Sequence, residues 1–168
     1  MLRILKSFFA ILLVILIIVS QLTIWPRLAI GAAAPNLVLA IVLVLAILKD
    51  FRYWWLALAM GLAIDLLADR FFGVFTLDLI ITFLFINWLA RNLFKKSGWL
   101  AFLILTFVGV LFFQSIEPVI FKIINWWPFG EGVKKDFSWL VWLNSLWLNL
   151  ILSLAVLLVS KKINVGEK

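Results

Sequence analysis

A carboxylate inside an apolar run is the residue of this chain with the clearest chemical potential. Asp65 lies in the run 61–69, GLAIDLLAD, where the residues between Gly61 and Asp65 are all apolar. A charged side chain in hydrocarbon costs at least ~2.5 kcal/mol, so we expect Asp65 to face protein or a wet cavity and to have a task. Gly61 lies one helical turn earlier on the same face, where a neighbouring helix or loop can approach the backbone closely.

Three further polar residues fall inside apolar runs, in the same outer half of the predicted membrane as Asp65: Asp78, Gln114 and Glu117. One interpretation makes the acids the lining of an outward-facing pocket or a proton path. The other makes them partners of nearby cations or groups that reach the headgroups, and it is favoured for Asp78 and Glu117. For Gln114, which shares a face with Glu117 and Pro118, helix packing is the default.

A second polar pattern lies near the C-terminus of the sequence. Ser145, Asn149 and Ser153 recur every four residues and so form one stripe on a helix. Stripes of this kind usually join membrane helices by hydrogen bonds, each worth ~0.6 kcal/mol on average. The stripe therefore predicts interhelical contact, with a substrate path as the alternative.

The composition indicates what kind of fold positions these groups. The 168 residues are 67% hydrophobic and 14% charged, with a mean hydropathy of +1.22, which a water-soluble domain could not hide beneath a polar surface. The net charge of +7 would suggest nucleic acid in a soluble chain, but here the bases flank apolar runs, and no nucleic-acid partner is expected. The chain is predicted to be an integral membrane protein.

The absence of two residue types narrows the chemistry further. The sequence contains no cysteine and no histidine, which excludes disulfides and thiolate metal sites and removes the commonest general base. We find no paired nucleophile and base, no phosphate-binding glycine loop and no metal-ligand set. The sequence therefore predicts a protein that is not an enzyme, with no catalytic residues, no metal site and no cofactor.

Six apolar runs approach the ~20 residues that cross a bilayer. They cover about 7–24, 28–48, 53–69, 74–90, 98–124 and 137–160. The connections between them are short, and no domain boundary is visible. The predicted fold is therefore an all-α membrane protein, with six transmembrane helices in a single domain, 1–168.

The basic residues predict the orientation of these spans. With a cytoplasmic N-terminus, the inner side holds Arg3, Lys6, Lys49, Arg52, Arg91, Lys95, Lys96, Lys161, Lys162 and Lys168, and the outer side holds Arg27, Arg70, Lys122, Lys134 and Lys135. Tryptophans follow the same boundaries, with Trp54, Trp55, Trp88 and Trp99 on the inner side and Trp25, Trp126, Trp127 and Trp139 on the outer side. Ten bases to five obeys the positive-inside rule, so both termini are expected in the cytoplasm.

One set of residues resembles a known family. Pro35-Asn36-Leu37 opens an aliphatic helix, and a later segment reads Gly61-x-x-x-Asp65-x-x-x-x-x-x-x-Gly73-x-x-x-Leu77. This pattern resembles the MreD family of rod shape-determining membrane proteins over about 35–93. Three departures leave the register intact: Asn36 stands where aspartate is usual, Phe75 stands where a small polar residue or histidine is frequent, and the linker Arg70-Phe71-Phe72 is bulkier than is common.

The resemblance implies a non-enzymatic subunit of the bacterial elongation complex in the cytoplasmic membrane. Such a subunit binds the single-span protein MreC and, through it, the MreB cytoskeleton and the peptidoglycan synthases, in contact with membrane lipids. On this hypothesis Asp65, Gly61 and Gly73 form a partner-binding or conformational element, with Pro35 and Asn36 nearby at the outer start of the second helix.

Two rival functions remain open. MreD-like proteins are similar in architecture to the six-helix substrate-binding subunits of energy-coupling factor transporters, which hold a vitamin or metal in an outward pocket, and the outer acids would suit such a site. Against this, run 7–24 offers little of the small-residue face by which those subunits dock. The other rival is a proton-coupled exporter that uses Asp65, which predicts pH-dependent flux in liposomes.

Overall fold

The protein is a bundle of helices. The computed structural model describes residues 2–31, 33–48, 51–68, 72–93, 99–125 and 139–165. These residues form α1 (Leu2–Thr23), α2 (Leu37–Leu48), α3 (Trp54–Leu67), α4 (Val74–Leu93), α5 (Trp99–Asn125) and α6 (Trp139–Val165), with short 3₁₀ helices at Trp25–Leu28 and Phe51–Tyr53. Within the described part of the chain, the all-α prediction is confirmed.

Among the residues that the structure describes, three helices are long and apolar enough to cross a membrane. The segments are Val74–Asn92 in α4, Trp99–Ile120 in α5 and Trp139–Leu158 in α6. Shorter apolar helical stretches cover Val14–Thr23 and Leu37–Leu48. These lengths support a membrane protein. The described residues contain three clear candidate spans, whereas the sequence predicts six.

The second predicted span, 28–48, differs most from the observed helix, because α2 begins only at Leu37. Ile30 and Ala33 form a tight turn by exchanging two backbone hydrogen bonds of 3.0 and 3.2 Å. Pro35 then disfavours helical geometry in the residue before it. Asn36 caps the helix, since its Oδ1 accepts the N–H of Leu39 at 3.0 Å. The apolar run therefore holds a turn and a helix start that hydropathy alone does not separate.

The shortest of the described α-helices, α2, is the centre of the bundle. It packs against each of the other five helices, and seven of its twelve residues are buried. Its sequence, LVLAIVLVLAIL, is apolar on every side, as expected for a helix surrounded by others. Leu39 and Leu43 of α2 share one buried cluster with Met60 of α3, Phe83 of α4 and Val110 of α5.

Several residues used to predict orientation lie outside the described residues: Lys49, Arg70, Lys95, Lys96, Trp126, Trp127, Lys134, Lys135 and Lys168. Phe71 of the bulky linker lies outside them too.

Candidate functional site: a carboxylate that caps the next helix

Asp65 of α3 binds the first turn of α4. Its Oδ2 accepts the backbone N–H of Gly73 at 3.1 Å, the N–H of Thr76 at 2.9 Å and the Thr76 hydroxyl at 2.6 Å. Its Oδ1 accepts the N–H of Phe75 at 3.3 Å. The side chain is 4% exposed. Four donors thus converge on one buried carboxylate.

Helix physics explains why an acid is needed here. The first N–H groups of a helix have no partner within the helix, and they carry partial positive charge. A residue just before a helix usually caps these groups with its own side chain. Gly73 holds that position before α4 and has no side chain, so Asp65 caps the helix from the preceding one. Asp65 therefore caps α4 within its own chain, and the partner-binding role predicted for it stays a prediction.

Gly61 lets the two helices approach closely enough for this contact. A Cβ atom on Gly61 would lie 2.7 Å from Cα of Thr76 and 3.0 Å from its Oγ1. The expected close approach beside the carboxylate is therefore confirmed. Because Gly61 and Asp65 both contact Thr76, we call Gly61, Asp65, Gly73 and Thr76 the α3–α4 clamp.

Gly73 contributes its backbone conformation to the clamp. Its φ is +90°, in the region that L side chains rarely adopt, and nothing lies within 4 Å of a Cβ built there. Replacing Gly73 with alanine is therefore expected to cost about 1–2 kcal/mol through backbone strain alone. Thermal unfolding in lipid nanodiscs measures this loss. An unchanged midpoint would contradict the role assigned to this φ angle.

Pro35 and Asn36 belong to a second capping arrangement, at the start of α2. The Asn36 N–H donates to Oδ1 of Asn149 in α6 at 2.7 Å. Gln21 of α1 accepts the Leu37 N–H at 2.7 Å and donates to the Pro35 carbonyl at 3.3 Å. Side chains from α1 and α6 thereby satisfy backbone groups at the beginning of the central helix.

The other end of α2 is capped as well. Nδ2 of Asn87 in α4 donates to the carbonyl oxygen of Ala46 at 2.8 Å, and both residues are buried. Twelve residues make a helix of ~18 Å, whereas the hydrocarbon of a bilayer is ~30 Å thick. In a bilayer, the backbone groups at the ends of so short a helix would lie in hydrocarbon without water and would have to be satisfied within the protein.

The polar stripe of α6 continues the network at the α2 start. Nε2 of Gln114 in α5 donates to Oγ of Ser145 at 2.8 Å, and Nδ2 of Asn149 donates to the same oxygen at 3.2 Å. The prediction of interhelical hydrogen bonds is confirmed for Ser145 and Asn149. The buried Oγ of Ser153 has no hydrogen-bond partner among the described residues.

Asn149 and Ser153 provide a matched pair for measurement, since both are buried on one face of α6. Asn149→Leu is expected to destabilise the bundle by about 1–2 kcal/mol, because the Asn36 N–H loses its acceptor. Ser153→Ala removes an unpartnered hydroxyl and should change stability by less than about 0.5 kcal/mol. Denaturation in mixed micelles compares the two variants, and equal losses would contradict this account.

Comparison with known protein families, curated proteins and solved structures gives no match. The site must therefore be interpreted from its own geometry.

The remaining predicted residues have separate surroundings. Asp78 is 1% exposed inside α4, and Glu117 is half-buried in α5. Gln114 is bonded to Ser145 in α6. No group of three or more histidine, cysteine, aspartate or glutamate residues in the described part of the chain has the arrangement of a metal site.

Sequence reasoning missed three residues that make key contacts: Gln21, Thr76 and Asn87. Each is a polar side chain within an apolar helix, which is the signal that could have singled it out. Together with the predicted residues, they occupy helix ends and helix crossings. The arrangement can hold helices in register, and the polar groups of Gln21, Asp65 and Asn149 are bonded in doing so.

Proposed function

We propose that this chain is a non-enzymatic scaffold subunit of the bacterial cell-elongation complex, of the MreD type. It binds a single-span MreC-like protein and, with the MreB cytoskeleton and the peptidoglycan synthases, controls cell shape and lateral wall growth. Its own part in that complex is to present a rigid set of helices.

The α3–α4 clamp carries the proposal. Gly61, Asp65 and Gly73 bear the resemblance and build one structural unit: Gly61 and Asp65 both meet Thr76, and the Gly73 N–H donates to the Asp65 carboxylate. Pro35 and Asn36 likewise form the capped start of the central helix. With Asp65 4% exposed, a partner would contact surfaces that the clamp positions rather than the carboxylate itself.

The proposal includes six crossings of the cytoplasmic membrane, with both termini in the cytoplasm. Support comes from α2, which is too apolar for a water-exposed helix and has its end groups bonded by other helices. Backbone groups in hydrocarbon have no water to bond with, so a short helix in a membrane needs such capping by its own protein. Helices α2 and α3 are shorter than the hydrocarbon layer is thick. The bilayer would therefore thin around them, or protein would cover their ends.

The use of polar groups distinguishes this proposal from the transporter alternative. A substrate pocket needs a few convergent polar groups that are available to a ligand. Here Gln21, Asn36, Asp65 and Asn149 are bonded to backbone or side-chain groups of their own chain. A scaffold makes better use of such an arrangement than a binding subunit does.

The test is complementation in a rod-shaped bacterium depleted of its own MreD-type subunit. The full, tagged chain is expected to restore cell width and to co-purify with the single-span MreC-like protein. A chain that accumulates in the membrane but leaves cells round and purifies without that partner would refute the proposal. Micromolar binding of a vitamin or metal by the purified protein would favour the transporter instead.

Matched variants separate folding from partner binding in this assay. Leu66→Ala changes an exposed neighbour of Asp65 and should leave the clamp intact. Asp65→Ala should reduce the amount of protein in the membrane, with cell shape failing in proportion. Normal membrane amounts of Asp65→Ala with a complete loss of partner binding would give Asp65 a direct role that its burial argues against.

A further inference from the structure

The exposed face of α6 stands out among the three clear spans. Only 22% of the segment Trp139–Leu158 is buried, compared with 50% of the α4 segment and 39% of the α5 segment. The segment contains no charged residue. An uncharged, largely uncovered helix is therefore available to lipid or to another helix.

Trp147 is unusual on this face because of its depth. It is 63% exposed and lies eight residues after Trp139, or ~12 Å along a segment of ~30 Å. Tryptophan prefers the membrane interface, where its indole N–H finds water or headgroups. The Trp147 indole makes no hydrogen bond with any residue that the structure describes. Near the middle of a bilayer, lipid chains offer no acceptor for that N–H.

Asn144 adds a second polar group one turn away. Its side chain is half-buried and lies ~7.5 Å from the start of α6. Its amide also has no hydrogen bond to any part of the chain that the structure describes. An amide in hydrocarbon is stabilised by bonding across to a neighbouring helix. Two polar side chains without hydrogen bonds to any described residue therefore lie on the exposed face of a membrane-length helix. Their presence indicates that another helix packs there.

The spacing on this face is that of a two-stranded coiled coil. Leu140, Asn144, Trp147, Ile151 and Leu158 follow intervals of four, three, four and seven residues, which place Asn144, Ile151 and Leu158 at a positions and the other two at d. An asparagine at an a position fixes the register and the number of strands. Because an amide both donates and accepts, Asn144 is complementary to the same residue at the same depth in a second copy.

We propose that two copies of this chain pair in parallel through this face of α6, with Asn144 bonded to Asn144 of the second copy and Trp147 packed alongside. The interface is isologous, so each residue meets its own counterpart about the two-fold axis. The pairing needs no other protein and is independent of the function proposed above.

The absence of cysteine from the sequence allows a clean crosslinking test. The full chain carrying Ile151→Cys is placed in liposomes and oxidised, beside Leu84→Cys, an exposed position on α4. Covalent dimers are expected for the α6 variant and not for the α4 variant. Equal crosslinking of the two variants, or none for the α6 variant, would overturn the proposal.

Asn144→Leu tests the polar contact itself. Loss of two symmetric hydrogen bonds should weaken dimerisation by about eightfold, while Asn144→Gln should retain much of it. Analytical ultracentrifugation in detergent measures the dimerisation, and the thermal midpoint of the monomer shows that the variants are folded. A wild-type chain that is monomeric would contradict the proposal. Crosslinking of Ile151→Cys only to a different protein in native membranes would contradict it too.

Discussion

Replacing Asp65 with alanine is expected to destabilise the folded bundle by about 3–5 kcal/mol. The change leaves three backbone N–H groups and the Thr76 hydroxyl without their acceptor in a buried position. Each neutral donor that is left desolvated without a partner costs about 1–3 kcal/mol, and the four donors reach this range together because the Gly73 N–H is only partly buried. Unfolding titrations in mixed micelles measure the loss directly.

Two control variants show whether the loss of stability comes from the missing helix cap. Asp65→Asn keeps one oxygen acceptor and should lose about 1–2 kcal/mol, between the wild type and alanine. Leu66→Ala alters the next residue, which is 71% exposed, and should change the free energy of unfolding by less than about 0.5 kcal/mol. An Asp65→Ala protein as stable as the Leu66→Ala protein would remove the basis for treating the carboxylate as a helix cap.

Gly61→Ala is expected to cost about 1–3 kcal/mol by forcing α3 away from α4. The new methyl group would meet backbone Cα of Thr76 at 2.7 Å, so the helices themselves must move. Leu66→Ala, at an exposed position of the same helix, is the control and should change the free energy of unfolding by less than about 0.5 kcal/mol.

Coupling between Gly61 and Asp65 shows whether Gly61→Ala displaces the helices or causes only a local clash. Because Gly61 and Asp65 both contact Thr76, a shift caused by Gly61→Ala should already weaken the bonds that Asp65 makes. The double variant should then lose less than the sum of the single losses, by about 0.5 kcal/mol or more. Strict additivity would indicate that the glycine and the carboxylate act independently.

Local patterns were sufficient to predict part of this structure. Apolar runs predicted a helical membrane protein, and the four-residue spacing from Gly61 to Asp65 predicted a close approach beside the carboxylate. The recurrence of Ser145 and Asn149 predicted contact between helices. These features depend on periodicity, which is visible in the sequence without knowledge of the partner.

The identity of each partner was not visible, because it depends on how the chain turns. Asp65 reaches Thr76 only because Gly73 adopts a φ of +90° between the two helices. Asn36 and Asn149 are separated by 113 residues, and their contact follows from the packing of α6 on α2. The residues before Leu37 are mostly apolar, although they contain a turn. Hydropathy alone therefore placed the start of α2 too early.

The capping of α2 has a consequence for biogenesis. The Asn36 N–H at its start depends on Asn149, which the ribosome adds 113 residues later. Until then that N–H must be bonded to water or a lipid headgroup, or shielded by a membrane chaperone. We therefore expect the middle helix to take its final position late, and nascent chains truncated before α6 to be substrates for membrane quality-control proteases.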